Sequence, residues 1–150
     1  MIMTVLMGSG CSRSFSKNAD EVLFVESEIL FDSDGDGVKS DLAVLSALGG
    51  SGGYGQYQLD IYAEGGQKLF DSNGYAVDCT RISGLSTGAM TDSIYSVEAS
   101  DTDGDGCDEL VCRQYAWCES HSNHIGDVVS VLKKNGDAFN IANAWFAACK

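Results

Sequence analysis

One short pattern occurs twice in this chain. Asp32-Ser33-Asp34-Gly35-Asp36-Gly37 returns 69 positions later as Asp101-Thr102-Asp103-Gly104-Asp105-Gly106. Carboxylates crowded this tightly repel one another unless a cation sits between them. The flanks repeat as well. Residues 29–31 and 97–100 precede the acidic runs, and Asp41-Leu42-Ala43-Val44 matches Glu109-Leu110-Val111-Cys112. Further on, residues 59–66 match residues 129–136. The chain therefore reads as a duplicated unit of roughly 70 residues.

Each unit reads as strands. Residues 22–31 are rich in Val, Leu, Ile and Phe and run into the first acidic loop; residues 42–48 are apolar and end at a glycine cluster. Tyr57, Leu59 and Ile61 alternate with Gln58, Asp60 and Tyr62, the period of a half-buried strand. Gly65-Gly66 and Asn135-Gly136 are tight-turn signals, leading into strands over 67–71 and 138–141. Residues 91–97 begin the second unit, residues 142–150 fit a last strand or a short helix, and residues 72–93 carry the least pattern. The expected fold is all-β: two tandem four-stranded antiparallel meanders, each shaped like a propeller blade. Two blades do not close a ring. The two sheets are expected to pack face to face, or the chain to pair with another copy as a homodimer.

Composition narrows the partners. With 150 residues, 44% of them hydrophobic, the chain suits a single domain with a real core. The net charge of −13 makes nucleic acid and anionic membrane surfaces poor partners. Nine of the 22 acidic residues lie in the two short runs, so the acidity is concentrated at two sites. No apolar window approaches the ~18 residues of a membrane span.

The pattern Asp-x-Asp-x-Asp-Gly places three carboxylates at alternate positions, and the glycine permits the sharp turn that brings oxygens around a hard cation such as Ca²⁺. An EF-hand would need a glutamate at position 12 and flanking helices. Position 12 is Ala43 in one loop and Cys112 in the other, and the flanks are strand-like. Residues 101–111 instead resemble the Asp-x-Asp-Gly-Asp-Gly-x-x-Asp-Leu-x-Val signature of FG-GAP and VCBS-type repeats, the calcium-binding blades of propellers like that of the integrin α chain. That resemblance implies Ca²⁺ ligands at positions 1, 3, 5 and 9 plus the carbonyl of position 7. In this chain these are Asp101, Asp103, Asp105, Glu109 and the Cys107 carbonyl, with Glu109 where the family usually carries Asp. The first loop is one residue longer. Asp32, Asp34 and Asp36 carry over directly, and Asp41, with the Val38 carbonyl, joins them if the loop bulges.

Residues 1–12 look like the end of a bacterial lipoprotein signal peptide, with Cys11 as the lipidated residue. Residues 1–19 are then leader and tether, and residues 20–150 one domain of two repeats, about 20–80 and 91–150. The resemblance implies an extracytoplasmic cell-surface or periplasmic location, with the membrane reached only through the lipid. An exported chain could also form one or two disulfides among its six cysteines, but the spacing selects no pairs.

Other motif matches lack their context. Gly50-Ser51-Gly52-Gly53-Tyr54-Gly55 matches a dinucleotide fingerprint, but a strand pattern follows where a helix is needed. Gly84-Leu85-Ser86-Thr87-Gly88 has no strand-turn-helix around it for a nucleophile elbow. Asp71-Ser72-Asn73-Gly74 reads as an Asx-type turn. Cys118, His121 and His124 fall in what reads as a long polar loop, where zinc ligation is the less favoured reading. The expected function is a non-enzymatic calcium-binding module that contacts a protein or carbohydrate ligand through its long loops. The alternatives are a small hydrolase using His121 or His124 with a carboxylate, or a structural piece of a larger propeller.

Overall fold

The computed structural model describes residues 24–49, 56–72 and 82–150. Eight strands follow in order: β1 Phe24–Phe31, β2 Asp41–Gly49, β3 Gln56–Tyr62, β4 Lys68–Asp71, β5 Met90–Ser100, β6 Glu109–Cys118, β7 Ser120–Asn135 and β8 Ala138–Ala148. They form two four-stranded antiparallel sheets, ordered β1-β2-β3-β4 and β5-β6-β7-β8. Within each sheet, neighbours in sequence are neighbours in space, as short connections between antiparallel strands allow. No helix among the described residues is long and apolar enough to cross a membrane.

The two-residue period shows in burial along β6 but not along β3, where Gln58 and Asp60 are buried together with Leu59 and Ile61 because Gln58 Nε2 donates to the Asp60 carboxylate and Lys68 pairs with it. Along β6, Leu110, Cys112, Gln114 and Ala116 point inward and alternate with partly exposed residues from Val111 onward. Phe31, Ala43, Leu45, Leu59 and Ile61 from the first sheet share one core with Ile94, Val97, Leu110, Cys112, Leu132 and Phe139 from the second. Phe31 and Phe139 meet edge to face across it, ring centroids 5.8 Å apart. The Tyr57 N–H donates to Ser93 Oγ at 2.9 Å, tying β3 to β5. A smaller cluster of Ile82, Ala116 and Val128, with Leu85, Ile125, Ala144 and Phe146 against it, closes the far end of the second sheet.

Of the two alternatives for residues 142–150, the strand is the one that forms, while the reading of residues 118–124 as a loop is overturned. Residues 142–148 continue β8, because their backbone pairs with β7 from Val131↔Asn143 to Gly126↔Ala148. The supposed long polar loop around residues 118–124 is a hairpin: β6 and β7 reverse at Glu119, whose φ is +68°. Stacked rings replace apolar alternation there. Tyr115 lies on His124 at 3.9 Å, and Trp117 on His121 at 4.1 Å. The loop at 50–55 and the leader with Cys11 lie outside the described residues.

Both acidic segments connect the first two strands of their sheets. Phe31↔Asp41 closes the first and Ser100↔Glu109 the second. The loops therefore hold 32–40 and 101–108, and Asp41 and Glu109 occupy equivalent strand-opening positions despite the extra residue.

Candidate metal centre

Each loop is wound around its first aspartate. Asp32 Oδ1 accepts from the Gly35 N–H and Oδ2 from the Gly37 N–H, both at 2.8 Å. Asp101 Oδ1 and Oδ2 accept from Gly104 at 2.7 Å and Gly106 at 3.0 Å in the same way. These glycines have φ of +78°, +87°, +78° and +92°, a conformation that side chains disfavour. The third aspartate of each loop repeats the device: Val38 N–H donates to Asp36 Oδ1 and Cys107 N–H to Asp105 Oδ1, each at 2.8 Å. Sequence spacing thus becomes carboxylate convergence, because every second side chain turns inward while the intervening amides brace it.

In the second loop, carboxylate oxygens of Asp101, Asp103, Asp105 and Glu109 all lie within 4.8 Å of one another; in the first loop the same holds for Asp32, Asp34 and Asp36. These are the ligand groups of three or more that the described residues form. Glu109 is 1% exposed. Its Oε2 accepts from the Thr102 N–H at 2.8 Å and the Thr102 hydroxyl at 2.5 Å, while Oε1 accepts no hydrogen bond and faces Lys133. Asp41, the counterpart of Glu109, stands outside the first group: its Oδ2 accepts from the Ser33 hydroxyl and pairs with Lys134 Nζ at 3.2 Å. Ser33 and Thr102 are thus equivalent latches. The Val38 and Cys107 N–H groups brace the third aspartate of each loop.

Several residues of the site were not recognised from sequence. Lys133 Nζ lies 2.5 Å from both Asp103 Oδ2 and Asp105 Oδ2, and 3.2 Å from Glu109 Oε1. Asp108 joins the two loops. Its N–H donates to the Asp32 carbonyl at 2.6 Å, and its Oδ2 accepts from the Asp32 N–H at 3.0 Å. Lys133 carries no local motif, and its role follows from strand register; Ser33 and Thr102 share a local signal, a hydroxyl at the second position of each acidic run.

The charges are tuned by these contacts. The Lys133 ammonium and the Cys107 N–H hold Asp105 down at about 2. The same carboxylates raise Lys133 above the usual ammonium range, Asp103 and Asp105 first. Desolvation pushes Asp32 up, but the amides of Gly37 and Gly35 outweigh it and leave it below the ordinary carboxylate value.

Cys118, His121 and His124 do not gather into a ligand group among the described residues. His121 Nε2 instead lies 3.0 Å from Asp92 Oδ1, which also accepts from Trp117 Nε1 at 3.2 Å. His124 Nε2 lies 3.4 Å from Asp127 Oδ1, and its Nδ1 is 3.5 Å from Cys149 Sγ. Cys107, Cys112, Cys118 and Cys149 are free thiols; Cys11 and Cys79 lie outside the described residues. Compared with protein-family models, curated proteins and solved structures, the chain matches none.

Proposed function

We propose that the chain is a divalent-cation-binding all-β module whose two acidic loops take Ca²⁺, and that the bound ions brace the β1–β2 and β5–β6 connections. The observation that carries this reading is the convergence of four carboxylates at Asp101, Asp103, Asp105 and Glu109, echoed by Asp32, Asp34 and Asp36. Two further features support it. The donors are all oxygen, which suits a hard cation and not the sulfur and imidazole sites of zinc. One of the four, Glu109, is buried with an oxygen that accepts no hydrogen bond, and the group already has a positive charge in its midst. A group of four carboxylates suits the 6–8 oxygens that Ca²⁺ takes better than Mg²⁺, which demands a small octahedral shell and keeps its water.

The likeness to FG-GAP and VCBS-type blades, an extracytoplasmic location with a lipid at Cys11, and a non-enzymatic role in binding a protein or carbohydrate belong to the same proposal. The hairpin at 118–124, with Trp117, His121, Tyr115 and His124 stacked in pairs, offers the second sheet's ring-bearing contact surface. The test is calorimetric titration of chelator-stripped protein with CaCl₂ and, separately, MgCl₂. Two calcium sites with dissociation constants of about 10⁻⁴–10⁻³ M and much weaker magnesium binding are expected. No heat of binding for calcium up to ~20 mM overturns the reading.

A further inference from the structure

The second loop already holds a cation, and the chain supplies it. Lys133 Nζ makes contacts of 2.5, 2.5 and 3.2 Å with three of the four carboxylates that form the candidate site. A divalent ion entering that group must take the place of the ammonium. The lysine has somewhere to go: its side chain is 32% exposed, and its four-carbon stem rotates freely.

The repeat makes this a difference between the two loops. Leu110 pairs with Leu132 in the second sheet and Leu42 with Tyr62 in the first. One residue further along, Lys133 pairs with the strand-opening Glu109, and the residue that follows Tyr62 in the first unit, the repeat's counterpart of Lys133, is Ala63. The first loop therefore lacks an internal ammonium at that position. The lysine that approaches it, Lys134, reaches Asp41 instead, outside the group of Asp32, Asp34 and Asp36.

We propose that Lys133 is a tethered competitor for the cation at the second loop: it keeps the empty carboxylates together, must be expelled when Ca²⁺ binds, and sets that loop's affinity below what its four carboxylates would otherwise give. This rests on the calcium-binding reading and deepens it. The consequence is that the loop with more carboxylates is not freely open, while the loop with fewer is. Metal-free protein keeps an ordered second loop because its charge is already partly matched.

The experiment is a CaCl₂ titration of the full chain followed by ¹H–¹⁵N correlation spectra. The amides of Gly104 and Gly106 report the second loop, and those of Gly35 and Gly37 the first. Lys133→Met is expected to tighten the second loop on the order of tenfold, the scale of removing three partly exposed ion pairs at once. The first loop's midpoint should stay within about twofold. Lys133→Arg retains a competitor and is expected to stay near or below wild-type affinity. The reciprocal variant, Ala63→Lys, is expected to weaken the first loop, and it keeps the test open should Lys133→Met fold poorly.

A second loop that binds calcium equally well, or less well, in Lys133→Met overturns the proposal, since the lysine would then be merely structural. A second loop silent in the wild type that responds in Lys133→Met supports it. If all four glycine amides stay unmoved in every variant, the calcium reading itself has failed and the proposal with it. Because that result differs from binding that ignores Lys133, the two failures are told apart.

Discussion

Asp32 and Asp108 hold each other across the two acidic loops: each gives the other a backbone N–H, at 2.6 and 3.0 Å, and the Asp108 carboxylate is the acceptor of one of them. Two loops of the same sign are thereby stapled side by side, with the Cys107 sulfur so near Gly35 that an added Cβ there would lie 3.0 Å from it. Asp108→Ala removes the acceptor of the Asp32 N–H and the weak pair with Lys39 at 3.9 Å. A loss of about 1–2 kcal/mol in urea unfolding is expected, with Asp108→Asn losing less because it keeps an acceptor oxygen.

Calcium should act on stability through both loops. At roughly 1–2 mM calcium and a dissociation constant near 10⁻⁴ M, each filled site adds about 1.4–1.8 kcal/mol. Excess EDTA should then lower the melting temperature of calcium-loaded protein by several degrees, up to about 10 °C for two full sites. Asp36→Ala and Asp105→Ala are each expected to abolish the response of their own loop. The double variant should melt identically with and without calcium. A double variant that still gains several degrees from calcium places the ion elsewhere.

The acid limb of stability carries the sign of Asp105. Its folded value of about 2 lies below the ordinary 3.8, so its stabilising contribution is complete above about pH 4 and disappears as the pH falls through 2. Lys133 is shifted upward, so its share is present below 10.5 and is lost only in strong alkali. In EDTA, wild-type protein should lose melting temperature between pH 4 and pH 2, and Lys133→Met should lose less over that interval. Equal slopes in the two proteins would separate Asp105 from Lys133.

Much of this arrangement can be read locally and part of it cannot. Alternation at Tyr57, Leu59 and Ile61, and glycine turns at 65–66 and 136, are properties of a few adjacent residues, and they mark strands correctly. The clustering of Asp101, Asp103 and Asp105 is equally local, because alternate positions in one tight loop must converge. Lys133 and Asp108 act through strand register and sheet packing, which depend on residues far apart in sequence. Residues 120–124 mislead for a different reason. Ser, His and Asn side chains at mostly exposed positions look like a loop, yet Tyr115 and Trp117 supply ring contacts that hold them as a strand.

Gly126 in β7 pairs with Ala116 of β6 and with Ala148 of β8. Its φ is +151°, and an added Cβ would lie 2.3 Å from the Ala147 carbonyl and 2.8 Å from the Ala148 Cα. Those are backbone atoms that cannot rotate aside. Gly126→Ala should therefore cost about 3 kcal/mol or more, the range of strained backbone plus overpacking, read as a lower urea midpoint. A midpoint unchanged within 0.2 M urea would show that the strands separate there without penalty.

The four described thiols should separate by reactivity in the folded protein. Cys112 is fully buried, and burial alone pushes it up to about 12, so it is a poor nucleophile until the second sheet opens. Burial first, and then the Asp105 carboxylate, raise Cys107, and the surrounding acidic loops repel anionic reagents from it. Cys149 is exposed, with its sulfur 3.5 Å from His124 Nδ1 and a second contact of 3.6 Å to the His124 carbonyl. His124 is itself held by stacking on Tyr115 and by Asp127 at 3.4 Å, so the imidazole is fixed beside the sulfur. Iodoacetamide labelling of native protein, followed by peptide mass mapping, should therefore modify Cys149 first and Cys112 last. His124→Gln removes the imidazole but keeps a polar side chain, and it should slow Cys149 several-fold while leaving Cys107 unchanged. If Cys149 labels at the same rate in His124→Gln as in wild type, its reactivity comes from exposure alone and the imidazole takes no part.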